Sequence, residues 1–173
     1  MALNRTRRLN QSWMKALPHY LFSTGVSFGL LSLSHALMPG SIGMALWLSL
    51  SINYLIDVLG HVSRNGNPTR TWLTHSVLTA PILGALVAAI SLDAALRAFG
   101  SGPSLEPLAL WTFMGALVSE EHLFLDSLTE SGVYALKRRI AIAHFNYDNM
   151  ALNIGFALLG VLLITVALGY RTP

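Results

Sequence analysis

The sequence predicts an all-α fold, a polytopic membrane helix bundle of about five transmembrane helices within one domain that covers residues 1–173. Two observations predict it. Hydrophobic residues make up 53% of the chain and charged residues only 11%, well below the roughly 25% of a typical soluble domain. Long apolar runs also alternate with polar segments, and a helix needs roughly 20 apolar residues to cross a hydrocarbon core.

Five segments meet this length. Turn residues separate the first segment from the second (38–41) and the third from the fourth (100–103), whereas longer polar connections, 61–71 and 129–149, precede the third and the fifth. The first segment is too long for a signal peptide and is read as a retained helix. Pro81 predicts a kink in the third, because proline removes a helical hydrogen bond. The segments are residues 18–37, 42–60, 72–99, 105–128 and 150–170.

Small residues recur within these segments and predict close helix packing in lipid. They are Gly25, Gly29 and Ser32, then Gly84, Ala85 and Ala88, then Gly155 and Gly160. This pattern indicates a packed bundle and carries no functional information.

Basic residues indicate the orientation. Nine of the eleven Lys and Arg residues lie before the first segment or in the two long connections, which five crossings place on one side. Such an excess is typical of the cytoplasmic side, so we expect a multi-pass protein of the cell membrane with a cytoplasmic N-terminus. The net charge of +3 is too small to predict nucleic-acid binding, and the sequence does not predict an oligomeric state. The absence of cysteine excludes disulfides and thiolate metal ligands.

Six ionisable residues fall at helix ends that share the cytoplasmic side: His19, Asp57, His61, His75, His122 and Asp126. Asp57 and His61 are four residues apart, as are His122 and Asp126, so each pair shares a helix face. Any one of these residues alone is explained by a side chain that reaches interfacial water. His35, near the opposite side, is read in that way. Six residues that converge from four helices indicate a common site.

Nitrogen and oxygen ligands of this kind favour Zn, with Mn or Fe as alternatives, over Ca or Mg. Six ligands exceed the four of a tetrahedral zinc, so the site predicts one ion with supporting partners or two ions. One aspartate could orient a ligating imidazole instead of binding an ion. Glu121 is a candidate general base, and the alternative is a supporting or surface role for both Glu120 and Glu121.

The segment after the fourth helix offers two readings. Lys137, Arg138 and Arg139 are topology determinants that contact anionic lipid, or Arg138 or Arg139 binds a substrate phosphate. The polar residues His144, Asn146, Asp148 and Asn149 cap the fifth helix or close over the site, and capping is favoured.

Four stretches, "PHYLFSTG", "YLIDVLGH", "TRTWLTHS" and "HLFLDSLTESGV", resemble in order the elements of a family of membrane-bound metal-dependent hydrolases. This family includes the LexA-regulated inner-membrane proteins of enteric bacteria. The resemblance covers about residues 19–133 and implies metal-site roles for the six residues named above. Bacterial members often have His-Arg-Gly before Thr-His-Ser, and this chain has Arg70 to Leu73 there, so one possible ligand is absent and Arg70 could bind an anion. The stretch "LKRRIAIAHFNYDNMALN" is similar to small archaeal membrane proteins of unknown function.

We therefore expect a metal-dependent hydrolase of the phosphoesterase type, acting at the cytoplasmic face on a membrane lipid or another amphipathic substrate. Arg70 would assist catalysis by holding the headgroup together with the basic segment. The alternatives are a metal-binding membrane protein without turnover, and a metal or proton transporter. Transport is less favoured, because the candidate ligands cluster at one side and the third and fifth segments have no matching polar residues at their midpoints.

Overall fold

The computed structural model describes residues 2–34, 40–64, 67–102 and 105–170. Within them the chain forms five helices, which confirms the expected mostly helical fold, and two short antiparallel hairpins. His35 and part of both predicted turns lie outside the described residues. The helices are α1 (Ala2–Leu33), α2 (Ser41–Gly60), α3 (Thr79–Ala98), α4 (Leu105–Ser127) and α5 (Met150–Gly169); the strands are β1 (His61–Arg64), β2 (Asn67–Arg70), β3 (Val133–Ala135) and β4 (Arg138–Ile140).

Three of these five helices, α2, α3 and α5, are long and apolar enough to cross a membrane. The other two are less apolar for reasons visible in the sequence. The first half of α1 is polar and basic, and α4 has acidic residues at both ends, with Glu106 in its first turn and Asp126 near its last. Apolar composition therefore supports three of the five expected spans.

Two predicted helix starts were wrong. Helix α1 begins at Ala2, sixteen residues before Pro18, and includes this proline, because a proline can be accommodated within a helix at the loss of one hydrogen bond. Helix α3 begins at Thr79 and not at residue 72. Pro81 is then in the first turn, where backbone N–H groups have no helical partner, so the reason for the predicted kink disappears. The residues before Thr79 form turns instead.

Small residues allow two helix pairs to approach closely, as expected. Helix α1 packs along α5, and α3 packs along α4. A Cβ atom built on Gly25 would collide with the backbone of Gly160, and a Cβ atom built on Gly84 would collide with the carbonyl of Gly115. Helix α2 packs against α1, α3 and α4 and supplies Leu48, Ile52 and Ile56 to the apolar core.

The distribution of polar residues is inverted relative to that of a soluble domain. The described interior contains as many buried polar residues as buried hydrophobic ones. Large apolar side chains are instead exposed along α2, α3 and α5. They include Trp47 and Leu50 on α2, Ile82 and Ile90 on α3, and Leu158, Leu162 and Val166 on α5. Contiguous exposed apolar surface of this extent is rare in soluble monomers.

The contact between α3 and α4 makes a prediction about stability. Gly84→Ala is expected to lower the free energy of unfolding in detergent by about 1–3 kcal/mol, because the new methyl group overlaps the Gly115 carbonyl and forces the helices apart. Gly155→Ala is the matched control, since a Cβ atom there meets nothing within 4 Å. Equal unfolding midpoints for the two variants would contradict the close α3–α4 contact.

Candidate functional site

The β1–β2 hairpin positions Arg70 at the end of α2. Its register pairs His61 with Arg70, so the chain leaves α2 and returns to the same point within ten residues. The Thr71 N–H then donates to the Gly60 carbonyl at 2.7 Å. The sequence predicted only a long polar connection here and not this hairpin, which brings residues 71–78 against the end of α2.

His75 is fully buried on residues 71–78, outside helix α3. Its ring packs directly on Gly60, where a Cβ atom would overlap both the His75 ring and the Thr74 hydroxyl. The Thr74 hydroxyl lies 3.0 Å from His75 Nδ1, and the His75 carbonyl accepts from the Tyr134 N–H at 2.7 Å. Burial lowers the pKa of His75 to about 3, so its imidazole is neutral at pH 7, which is the form that binds metals.

His122, on α4, is also buried, and its orientation depends on α2. Its Nδ1 atom lies 2.8 Å from the side-chain carbonyl oxygen of Asn53, which can only accept, so Nδ1 carries a hydrogen and the lone pair of the neutral ring lies on Nε2. The Asn53 amide group in turn donates to the Ser49 carbonyl at 2.7 Å. The ring of His61 is oriented in the same way, because its Nδ1 atom lies 2.8 Å from the Asp57 backbone carbonyl oxygen.

Asp126 is the point at which these elements meet. Its Oδ2 atom lies 3.3 Å from His122 Nε2 and 3.5 Å from His75 Nε2. Its Oδ1 atom lies 2.6 Å from the Arg70 guanidinium and 3.8 Å from His19 Nε2. The carboxylate is thus shared between a strand, two helices and the segment that precedes α3.

All six ligand candidates from the sequence come together here. Two groups of three have ligand atoms within 4.8 Å of one another: His19, His122 and Asp126, and Asp57, His61 and His75. The groups are contiguous, because Asp57 Oδ1 also lies 3.6 Å from His122 Nε2. Residues 57 and 61 are partly exposed, whereas His75, His122 and Asp126 are buried.

Three atoms that could bind a metal ion have no hydrogen-bond partner among the described residues, namely His75 Nε2, His122 Nε2 and Asp126 Oδ2. Buried polar atoms are nearly always hydrogen-bonded, and a buried atom without a partner costs about 1–3 kcal/mol. Three such atoms that face one another indicate a site that encloses a bound ion or molecule.

A cavity of about 590 Å³ opens on this cluster. The polar residues of its lining include His19, Asp57, His61, Arg70 and Asp126. The apolar residues of its lining come from α1, α4 and α5 and include Pro18, Leu125, Leu152 and Phe156. His75 and His122 are not among the lining residues and lie behind them. The cavity therefore presents both a polar and an apolar surface to any occupant.

Of the other predicted site residues, some line the cavity and others do not. Arg70 faces the cavity, but its guanidinium is committed to Asp126 and to the Gly132 carbonyl, at 2.8 Å from the latter. Arg139 lines the cavity, whereas Arg138 lines a different one. Glu121 is buried toward Ser23 of α1 and does not line the cavity, since it projects from a different face of α4 than His122 and Asp126.

Sequence reasoning missed two residues of this site, Asn53 and Gly60. Asn53 carried a usable signal, because a strongly polar side chain within an apolar segment, one helical turn before Asp57, has to find a buried partner. Gly60 carried none, because its role depends on a ring that arrives fifteen residues later in the chain. The predicted capping role is confirmed for Asn149, whose side-chain oxygen accepts from the Leu152 N–H at 3.1 Å.

The contact between Asn53 and His122 makes a second prediction. Asn53→Leu removes the acceptor of the His122 Nδ1 hydrogen, so we expect an unfolding free energy lower by about 1–3 kcal/mol and loss of the single His122 tautomer in ¹⁵N NMR of histidine-labelled protein. Asn153→Leu is the control: Asn153 on α5 donates to the Tyr147 carbonyl and not to His122, so the His122 signals should still show a single tautomer. A His122 tautomer that persists in Asn53→Leu would show that α2 does not orient this ring.

Comparison with known families gives one match. The profile of a family described as "Protein of unknown function (DUF1286)" matches residues 14–125, a range that contains five of the six clustered residues and ends one residue before Asp126. No curated protein and no solved structure matches the chain. Because the match covers more than half of the sequence, the chain belongs to the DUF1286 family.

Proposed function

We propose that this protein is a membrane-embedded, metal-dependent hydrolase that cleaves a phosphoester in a lipid or another amphipathic substrate at the cytoplasmic face of the membrane. One observation carries the proposal. Three buried ligand atoms without hydrogen-bond partners, on His75, His122 and Asp126, converge beside a cavity lined by both polar and apolar residues.

The separations within this triad support a bound ion. Ligand atoms that surround a tetrahedral Zn²⁺ at 2.0–2.1 Å lie about 3.3–3.4 Å from one another. Asp126 Oδ2 lies 3.3 Å from His122 Nε2 and 3.5 Å from His75 Nε2, close to that value and too far apart for good direct hydrogen bonds. The neutral His75 supplies the ligand form that such an ion requires, and the contact of His122 Nδ1 with Asn53 leaves Nε2 as the coordinating atom of His122.

The second group, Asp57, His61 and His75, favours a site large enough for two ions. His75 links it to the first group, since its Nε2 atom lies 3.5 Å from Asp126 Oδ2 and its ring centroid lies 5.0 Å from that of His61. Zn is the preferred metal for these donors, with Mn and Fe as alternatives.

The open cavity favours catalysis over a purely structural metal site, because structural zinc sites are closed whereas catalytic ones keep a position for water or substrate. A divalent cation would supply a water of near-neutral pKa and neutralise charge on a phosphoryl oxygen. The apolar lining residues Leu152 and Phe156 accommodate a hydrocarbon chain, and Arg139 also lines the cavity, where it can pair with a phosphate.

The geometry assigns two roles differently from the sequence. Arg70 binds Asp126 Oδ1, so we give it the role of holding this carboxylate with Oδ2 turned toward the histidines. When one ion is held by His75, His122 and Asp126, Asp57 is not a ligand and is better placed as general base than Glu121. Its carboxylate is partly exposed in the cavity, whereas Glu121 is not at the cavity.

Membrane placement rests on the exposed apolar surfaces of α2, α3 and α5, which bury themselves in lipid at a gain of about 25 cal/mol per Å². In this placement α1 and α4 complete the bundle and carry the polar interior. The site then lies at the bundle end that carries both hairpins and most basic residues, which positive-inside topology places in the cytoplasm.

Metal content is the first test. By elemental mass spectrometry, we expect purified protein to contain one or two equivalents of Zn, Mn or Fe. The His75→Ala variant should lose most of this metal. His144→Ala is the matched control, because this histidine is exposed and belongs to neither cluster. Protein without bound metal under all loading conditions would refute the proposal.

Turnover is the second test. Phosphomonoesters and phospholipids should be hydrolysed by the metal-loaded protein and not after chelation, and Asp57→Asn should lower kcat by about 100-fold, the size of a general-base contribution. The exposed Asp148 supplies the control Asp148→Asn, and metal content is measured on each sample so that loss of the ion is separated from loss of the base. Stoichiometric metal without turnover on any phosphoester would instead favour a non-catalytic metal protein.

A further inference from the structure

A second cavity lies beside residues 71–78. Its volume is about 880 Å³, and it shares no lining residue with the first cavity. It is formed between the start of α3 and the β3–β4 hairpin by Trp72, Ser76, Leu78, Thr79, Tyr134, Ala135, Leu136, Lys137 and Arg138. We call it the hairpin groove.

The floor of the hairpin groove is apolar and exposed. Trp72, Leu78 and Leu136 are 60%, 53% and 69% exposed, which is unfavourable for large apolar side chains in water. Tryptophan at such a position is typical of the interface between membrane and water. The groove includes Thr79, the first residue of α3, so it lies at the level where this apolar helix begins.

Leu136 adds an independent observation. It occupies the tip of the β3–β4 hairpin with φ of 57°, the only non-glycine residue with positive φ in the described chain. A side chain in this conformation costs roughly 1–2 kcal/mol relative to glycine, and hairpin tips of this length usually have Asn or Gly there. A leucine held at that cost with its side chain exposed indicates that the side chain itself has a use at the tip.

The rim of the groove is positively charged. Lys137 and Arg138 follow Leu136 directly and are both exposed, and the residues that line the groove include no acidic side chain. Two cations beside an apolar channel complement a molecule with an anionic head and a hydrocarbon tail.

We propose that the hairpin groove binds an anionic phospholipid of the surrounding membrane, with its phosphate on Lys137 and Arg138 and an acyl chain against Trp72, Leu78 and Leu136. This proposal rests on the membrane placement proposed above, and it requires neither the metal nor hydrolysis. The lipid is a resident ligand and not the substrate, because its cavity is separate from the one that opens on His19, Asp57 and Asp126.

The groove is connected to the metal site through the backbone. The Tyr134 N–H donates to the His75 carbonyl at 2.7 Å, and the Val77 N–H donates to the Tyr134 carbonyl at 3.0 Å. Tyr134 therefore forms backbone hydrogen bonds with the residues before and after Ser76, whose side chain is buried at the groove. A lipid that orders the hairpin would hold His75 in place through these two bonds.

The test measures lipid retention in detergent micelles by native mass spectrometry, with phosphatidylglycerol and phosphatidylcholine added in equal amounts and a chelator present to prevent turnover. Wild-type protein should retain phosphatidylglycerol preferentially. The double variant Lys137→Ala/Arg138→Ala should bind it about 30-fold more weakly, since each basic residue near an anionic surface contributes about 1 kcal/mol. Arg97→Ala, at the other end of α3, should retain wild-type affinity.

A second variant separates binding from folding. Leu136→Gly removes the apolar tip and suits positive φ, so it should weaken phosphatidylglycerol retention without lowering the unfolding midpoint. Equal binding of the two lipids by wild-type protein, or unchanged phosphatidylglycerol affinity in the double variant, would overturn the groove proposal. Protein that remains soluble without detergent would instead refute the membrane placement, and failure to bind metal would refute only the hydrolase.

Discussion

The described site depends on one buried carboxylate. Asp126 lies in the interior with Oδ1 against Arg70 at 2.6 Å and Oδ2 facing His75 and His122. A buried charge is tolerated only when it is paired, and removal of one partner costs about 3–5 kcal/mol. Arg70 reaches Asp126 because β1 pairs with β2, and it also binds the Gly132 carbonyl before β3. The need to neutralise Asp126 thus draws both hairpin regions toward the end of α4.

A lipid environment would account for both the polar interior and the apolar exterior. If lipid surrounds α2, α3 and α5, their apolar side chains gain nothing by turning inward, and the helices associate through close packing at Gly84 and Gly115 and through hydrogen bonds between buried polar groups. The bond from His122 to Asn53 is one of these. It joins α4 to α2 and also determines which ring nitrogen of His122 faces the site. The same contact therefore stabilises the helix packing and orients a candidate ligand.

Residues 71–78 have two faces with different environments. One face presents His75 to the acidic and histidine cluster, and the other presents Trp72 and Leu78 to the hairpin groove. Had α3 begun at residue 72, a regular helix would have separated these positions by a fixed 100° per residue. The irregular segment instead buries Thr74, His75 and Ser76 consecutively, which a helix that is exposed on one side does not allow. The Thr74 hydroxyl pairs with His75 Nδ1, and the Tyr134 N–H donates to the His75 carbonyl, so these buried polar groups have partners.

The sequence by itself determined the helices, their order and which ends carry the ionisable residues, because apolar length and four-residue spacing are local properties. It placed Asp57 with His61 and His122 with Asp126, and both pairs belong to the cluster. Only the tertiary structure decided which neighbour each side chain meets. It turned Glu121 away from the cavity, separated Arg138 from Arg139, committed Arg70 to Asp126 and revealed Asn53 and Gly60 as supports. Helical periodicity gives the direction of a side chain about its own axis, whereas its partner depends on how the axes cross, and the glycine contacts and the two hairpins set that crossing.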